Sequence, residues 1–158
     1  MLCTTFSRRL TLNKRDTAGQ EEYEAIRIRS YPDTDFFILV FSVESRASFD
    51  NLGNKWFPEV RKHCPTAQII VVGAKSDLRE DDGVVAEVAS LGNPMLSKEE
   101  YEDLALKWGA KKYIECSALA NENLNLIFDE ILMLRRSLEQ EESKREDINK
   151  RKSNCLIS

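Results

Sequence analysis

Histidine is nearly missing from these 158 residues: His63 stands alone, at the end of an exposed helix face where acid–base work is not expected. The four cysteines, Cys3, Cys64, Cys116 and Cys155, lie far apart. Without a Cys-x-x-Cys pair, neither a zinc site nor a disulfide framework is expected. Long apolar runs are lacking too. The longest, Phe36–Phe41, is of strand length, against the roughly 18 residues a membrane-crossing helix needs. An excess of positive charge is also lacking, and the net −4 argues against wholesale binding of nucleic acid. Residues Met1–Arg8 are too short and polar a stretch for a secretory signal. No internal repeat or low-complexity segment is present.

What is there describes one globular domain. Hydrophobic residues make up 42% and charged ones 32%, proportions that support a single core of ordinary size. Strand-like and helix-like segments alternate, the mark of an α/β fold with a mainly parallel sheet and flanking helices. Phe36–Phe41 and Gln68–Gly73 are continuous apolar runs, as strands covered on both faces must be, and Tyr113–Cys116 is a shorter third. Phe49, Leu52, Trp56 and Val60 share a helix face, although Gly53 within it costs about 1 kcal/mol relative to alanine. Ser97 and Glu100 make a capping box for a helix carrying Tyr101, Leu104, Ala105 and Trp108, closed by Gly109. Val84, Val85, Val88 and Leu91 predict a short inserted helix. Leu124, Ile127, Phe128, Ile131 and Leu132 predict the last one, whose pattern fades after Leu138 into a charged stretch.

Three short motifs carry chemistry. Asp16-Thr17-Ala18-Gly19-Gln20 offers a carboxylate for a metal, a glycine N–H that a phosphate can approach, and an amide to orient a water. A plain Asp-Thr-Ala-Gly turn accounts for the same residues equally well. Gly73-Ala74-Lys75-Ser76-Asp77 follows a strand at its carboxyl end, where α/β sheets bind ligands. A carboxylate there can accept both N1–H and the 2-amino group of guanine, and the Lys75 stem can lie over the base. Glu115-Cys116-Ser117-Ala118-Leu119 ends the next strand, where the Ala118 N–H can donate to the guanine O6. Each motif is weak alone. Their order, each at a strand end, makes coincidence improbable.

With these residues the chain resembles the Ras superfamily of small GTPases and, within it, the Rho branch. The branch-level cues are Asp16–Tyr23, Ser30-Tyr31-Pro32, Lys55–Val60, Gly73–Arg79, the inserted helix and Glu115–Leu119. The resemblance implies the small-GTPase P-loop NTPase fold and a switch between GDP and GTP with Mg²⁺. It implies that Gln20 is catalytic and that Asp16 holds Mg²⁺ through water. By the same token Asp16, Thr17, Ala18, Gly19, Gln20, Ala74, Lys75, Ser76, Asp77, Ser117, Ala118 and Leu119 line the nucleotide. The partners implied are exchange factors, GTPase-activating proteins, a dissociation inhibitor and effectors of Rho type. The departures are as plain. No Gly-x-x-x-x-Gly-Lys-Ser/Thr occurs, so the phosphate loop, its strand and helix, and the first switch have no counterpart. Residues 1–15 are too few for the roughly 30-residue unit that holds them. Lys14 and Arg15 stand where the family has apolar residues, Ala74 where it has Asn or Thr, and Ile28-Arg29 where it has Pro-Leu.

The expected organisation is thus an atypical segment 1–15, a partial, N-terminally incomplete GTPase domain 16–138 with an inserted helix near 84–91, and a charged tail 139–158. In the family the missing strand lies between the strand leading to Asp16 and Phe36–Phe41. Without it, Phe36–Phe41 is expected to keep an unpaired edge, beneath an exposed apolar patch, with the residues before Asp16 poorly anchored and the chain prone to aggregate. Asp77 offers about two charge-assisted bonds of roughly 1.5–3 kcal/mol each, against an association cost on the order of 4–15 kcal/mol. The base pocket alone therefore supports about millimolar affinity. Cys155-Leu156-Ile157-Ser158 matches a prenylation signal, with Ser favouring farnesyl, and Lys150-Arg151-Lys152 lies just upstream. The expected location is cytoplasmic, on the inner face of the plasma membrane or on endomembranes. Two alternatives remain: a nucleotide-free, lipid-anchored interaction module, or the product of a truncated gene.

Overall fold

The computed structural model describes residues 2–7, 11–16 and 24–155; in the first two segments, and at 142, 145–147 and 149–155, the backbone alone. Five strands form one sheet: β1 (Leu2–Ser7), β2 (Thr11–Asp16), β3 (Phe36–Ser42), β4 (Gln68–Ala74) and β5 (Lys112–Cys116), in the order β2-β1-β3-β4-β5. The apolar runs lie at its centre. β3 and β4 pair in parallel from Phe36 opposite Gln68 to Ser42 opposite Ala74, and β4 pairs in parallel with β5 from Ile70 opposite Lys112 to Ala74 opposite Cys116. Such strands are covered on both faces, which is why their side chains are apolar without alternation.

The free edge of β3 is where sequence expectation and structure part. Residues 2–7 and 11–16 form an antiparallel hairpin, and Leu2, Cys3 and Thr4 pair with Ile38, Phe37 and Phe36. The segment before Asp16 is therefore anchored by backbone pairing. An apolar strand's exposed N–H and C=O groups recruit whatever extended chain lies within reach. Lys14 and Arg15 fall on β2, the outermost strand, where charged residues guard an edge. Among the described residues the large apolar patch is not found at this edge either. On the face of β3 and β4 that carries Phe36, Ile38, Ile70 and Val72, these four are buried and Val40 is 41% exposed.

The other face carries the core. Phe37, Leu39 and Phe41, with Ile69, Val71 and Tyr113, pack against the helices α2 (Arg46–Asn51), α3 (Phe57–His63) and α5 (Lys98–Lys107). Phe49 meets Phe41, Tyr101 and Trp108 at ring-centroid distances of 4.8, 4.5 and 4.8 Å. The single helix expected over Phe49–Val60 is instead interrupted: a π-helical segment, Leu52–Trp56, joins α2 to α3. Gly53 lies inside it, and a Cβ there would stand 2.5 Å from the Trp108 ring. The helix-weakening glycine is thus a packing requirement. The capping box is formed, with Ser97 Oγ accepting from the Glu100 N–H and Glu100 accepting from the Ser97 N–H, and Gly109 closes α5 at φ +98°. The inserted helix is α4 (Asp82–Ser90), capped by Asp81, with no fully buried residue.

Two compact units are distinguished, residues 1–124 and 125–158. The second begins one residue into α6 (Leu124–Cys155), which continues as helix through the charged stretch beyond Leu138. Among the described residues no helix is long and apolar enough to cross a membrane.

Helix propensity alone predicts that Gly53→Ala stabilises by about 1 kcal/mol, whereas the Trp108 contact predicts a loss of about 1–3 kcal/mol from overpacking. We expect the loss, read as a lower urea midpoint. Repeating the substitution in a Trp108→Leu background, which removes the clashing ring, should reverse its sign.

Candidate functional site

Parallel register brings three loops to one edge. Because Ser42, Ala74 and Cys116 stand level across β3, β4 and β5, the segments that follow them emerge side by side. These segments carry Glu44, Lys75 to Asp77, and Ser117-Ala118. The Val43 N–H donates to the Ala74 carbonyl at 3.0 Å, carrying the ladder one residue beyond β3. The carboxyl edge of a parallel sheet is the usual place for a ligand.

Within this edge the backbone turns sharply. Lys75 adopts φ +60°, the left-handed region that costs a residue with a Cβ about 1–2 kcal/mol, and opens a 3₁₀ turn over Ser76–Glu80. Asp77 and Ser117 are brought together by the turn: the Ser117 hydroxyl donates to Asp77 Oδ1. Ser117 is fully buried, and its oxygen in turn accepts from the Ala120 N–H at 2.9 Å. Two backbone bonds between Ser117 and Glu122, of 3.1 and 2.9 Å, fix the same loop. A carboxylate has two oxygens and about four acceptor positions, so Asp77 keeps capacity for a ligand's donors. Lys75 Nζ donates to Glu44 Oε1 at 2.6 Å. Burial works to raise the Glu44 pKa, but its bonds from Lys75 and Ser42 outweigh it and hold the carboxyl below its ordinary value.

Beneath these loops lies an ion pair. Arg79 meets Glu115 with both prongs, Nε to Oε2 at 2.9 Å and Nη2 to Oε1 at 2.7 Å, while its Nη1 donates to the Leu96 carbonyl at 2.8 Å. Tyr113 OH donates to Glu115 Oε1 at 2.6 Å. Burial tends to lower the Arg79 pKa, yet Glu115 more than restores it and the net shift is upward. Burial and then the Glu115 carboxylate push the Tyr113 phenol far up, so it remains a donor. Gly73 makes room here, since a Cβ would lie 2.7 Å from the Tyr113 hydroxyl.

The remaining sequence candidates are placed differently. Asp16 ends β2, and its partner Leu2 is level with Ile38, four positions before Ser42 (42 − 38). That sets Asp16 back from the edge by about 13 Å along the strand direction. Thr17, Ala18, Gly19 and Gln20 lie outside the described residues. Ala118 and Leu119 are exposed, Leu119 by 87%. Cys155 is the last residue of α6, and Leu156–Ser158 lie outside the described residues.

Just after the undescribed segment stands α1 (Glu24–Arg29), held by a second buried cluster. Arg27, 1% exposed, donates from Nε and Nη2 to Glu59 at 3.0 and 2.9 Å. Tyr31 OH donates to the same carboxylate at 2.5 Å, and the Arg27 guanidinium lies 4.8 Å from the centre of the Trp56 ring. Sequence reading gave no role to Glu44, Arg79, Glu115 or Glu59. The available signal was local: Arg79 stands two residues after Asp77 and Glu115 two before Ser117, opposite charges close to the two proposed base contacts.

A sequence model of the Ras family matches residues 2–137. The chain belongs to the Ras family. Its three-stranded parallel sheet with flanking helices is the Ras-like GTPase fold, and membership makes it a GTP-binding signalling protein by family. The family binds guanine nucleotide with Mg²⁺, and the residues here fit the two groups unequally. Asp77, at a strand end with acceptor capacity to spare, suits the paired donors of guanine. For the metal, the candidate from the sequence is Asp16, and among the described residues no three His, Cys, Asp or Glu side chains converge on an ion.

The Arg27–Glu59 pair sets an expectation for acid stability. Burial tends to raise the Glu59 pKa, but Arg27 and Tyr31 bring it below its ordinary value of 4.5. A depressed carboxyl contributes stability above its unfolded pKa and loses it as pH falls through the folded one. Glu59→Gln should therefore cost about 3 kcal/mol at pH 7. The gap from wild type should close progressively below pH 4.5. Urea midpoints measured from pH 7 to pH 3 check it.

Proposed function

We propose that this chain is a Rho-type small GTPase signalling protein whose 158 residues carry the base-recognition half of the nucleotide site without the phosphate-binding half. The juxtaposition of Asp77 and Ser117 at the carboxyl edge carries the reading. Asp77 accepts from guanine N1–H and the 2-amino group, Lys75 lays its stem along the base, and the Ala118 N–H donates to O6. By the family resemblance, Asp16 would hold Mg²⁺ through water, the Gly19 N–H would serve the γ-phosphate and Gln20 would orient the attacking water in a chain that also carried the phosphate loop. Mg²⁺ supplies charge neutralisation at the transferring phosphate. The Rho assignment rests on the sequence cues, among them Lys55–Val60 and the inserted α4. Its partners are then exchange factors, GTPase-activating proteins, a dissociation inhibitor and effectors of Rho type.

Without a Gly-x-x-x-x-Gly-Lys-Ser/Thr loop, these residues lack the backbone cradle that supplies most of the affinity for phosphates. The purified chain should bind GTP and GDP in the high micromolar range or weaker. Isothermal titration checks this, and stoichiometric nucleotide retained through gel filtration would refute it. Placing a phosphate-loop unit ahead of Asp16 should restore binding, after which Gln20→Leu should slow hydrolysis.

The tail supports membrane association. Cys155 is proposed to carry a prenyl group, with Lys150, Arg151 and Lys152 adding about 1 kcal/mol each at an anionic leaflet. One lipid chain gives reversible anchoring, so the protein divides between cytoplasm and membrane. In a eukaryotic cell Cys155→Ser should be wholly soluble, and equal farnesyl labelling of both forms would end this reading. A second reading is a nucleotide-free, lipid-anchored module that holds Rho partners through residues 23–31 and its tail. Capture of exchange factors by the chain with nucleotide stripped away distinguishes the two.

A further inference from the structure

The two motifs proposed to read guanine are 40 residues apart in sequence, and the backbone ladder that joins β4 to β5 ends at Ala74 and Cys116, short of Asp77 and Ser117. What lies between and beneath them is Arg79. Its fork grips Glu115, which is 7% exposed and precedes Ser117 by two residues. Its own backbone belongs to the 3₁₀ turn that contains Asp77. The third prong, Nη1, reaches the Leu96 carbonyl at 2.8 Å, and the guanidinium lies 5.6 Å from the centre of the Tyr101 ring. The far side of Glu115 is fixed as well. Tyr113 OH donates to its carboxylate and Asn123 Nδ2 to its backbone carbonyl, at 2.6 and 3.0 Å.

We infer that Arg79 is the positioning residue of the base site, holding the Asp77 turn against the Ser117 loop through Glu115. It touches no ligand. The inference rests on the guanine reading above, and it adds a residue no base-contact motif contains. A bidentate guanidinium–carboxylate pair fixes distance and orientation together. A lysine ammonium keeps the charge but cannot bridge both carboxylate oxygens and the Leu96 carbonyl in one plane. Without the fork, the Ser117–Asp77 hydrogen bond loses its frame, while the apolar core is untouched.

The test uses the 158-residue chain without nucleotide first. Amide hydrogen exchange followed by NMR should rise about tenfold at Ala120 and Leu78 in Arg79→Lys and in Glu115→Gln. Arg61→Lys is the control: Arg61 donates to the Ala67 and Gly109 carbonyls at 2.6 and 3.0 Å, far from the two loops, and its loss should leave Ala120 and Leu78 unchanged. Chemical shifts at Asp77 and Ala118 are then followed while GMP or AMP is added. Wild type should respond to GMP over AMP, and Arg79→Lys should lose about tenfold of that preference while Arg61→Lys keeps it. Unchanged exchange in Arg79→Lys overturns the positioning role whatever the nucleotide result. A wild type indifferent to GMP overturns the guanine reading and, with it, the function assigned to Arg79.

Discussion

The parallel ladder of β3, β4 and β5 is the constraint on which the rest depends. Parallel strands leave no freedom of direction: all three deliver their following loops to one edge. Their register then decides which residues meet there. With Ala74 level with Ser42 and Cys116, Glu44, Lys75, Asp77 and Ser117 become neighbours from three distant stretches of chain. A slip of one residue would turn every core side chain to the other face, so the packing of Phe37, Leu39, Phe41, Ile69 and Val71 enforces the register that builds the site.

Two largely buried ion pairs translate that scaffold into fixed loops. Arg79–Glu115 ties the turn after β4 to the end of β5, and Arg27–Glu59 ties α1 to α3. Buried pairs of this kind add little net stability over an apolar equivalent, because desolvation offsets attraction. They add geometry instead. Both are bidentate, both carboxylates also accept from a tyrosine hydroxyl, and both arginines lie near an aromatic ring. One stands behind the proposed base-recognition edge. The other stands where the chain leaves the Asp16–Gln20 motif. The site therefore depends on polar contacts set outside the ligand's reach.

The β3 edge shows how a sheet accommodates an unfamiliar beginning. The hairpin of β1 and β2 pairs with only Phe36–Ile38, and it does so antiparallel. Backbone groups are indifferent to which sequence satisfies them. That indifference lets residues 2–7 serve as a neighbour for β3 although nothing in their side chains predicted it, and it leaves Asp16 four positions short of the edge that carries Asp77.

By itself the sequence determined the elements whose causes are local. The apolar runs of β3 and β4 follow from burial on both faces, the start of α5 from the Ser97–Glu100 capping box, and its end from Gly109. The three motifs proposed for base and metal could be picked out because short chemistry needs short spacing. Tertiary structure alone decided the rest. Glu115 finds Arg79 across 36 residues and Glu59 finds Arg27 across 32, pairings that no local periodicity encodes. Gly53 reads as a helix fault until the Trp108 ring is placed 2.5 Å from its absent Cβ. Lys14 and Arg15 read as misfits until β2 proves to be the edge of the sheet. Local sequence fixes backbone preference and pattern, whereas register, burial and charge pairing exist only once distant segments share one core.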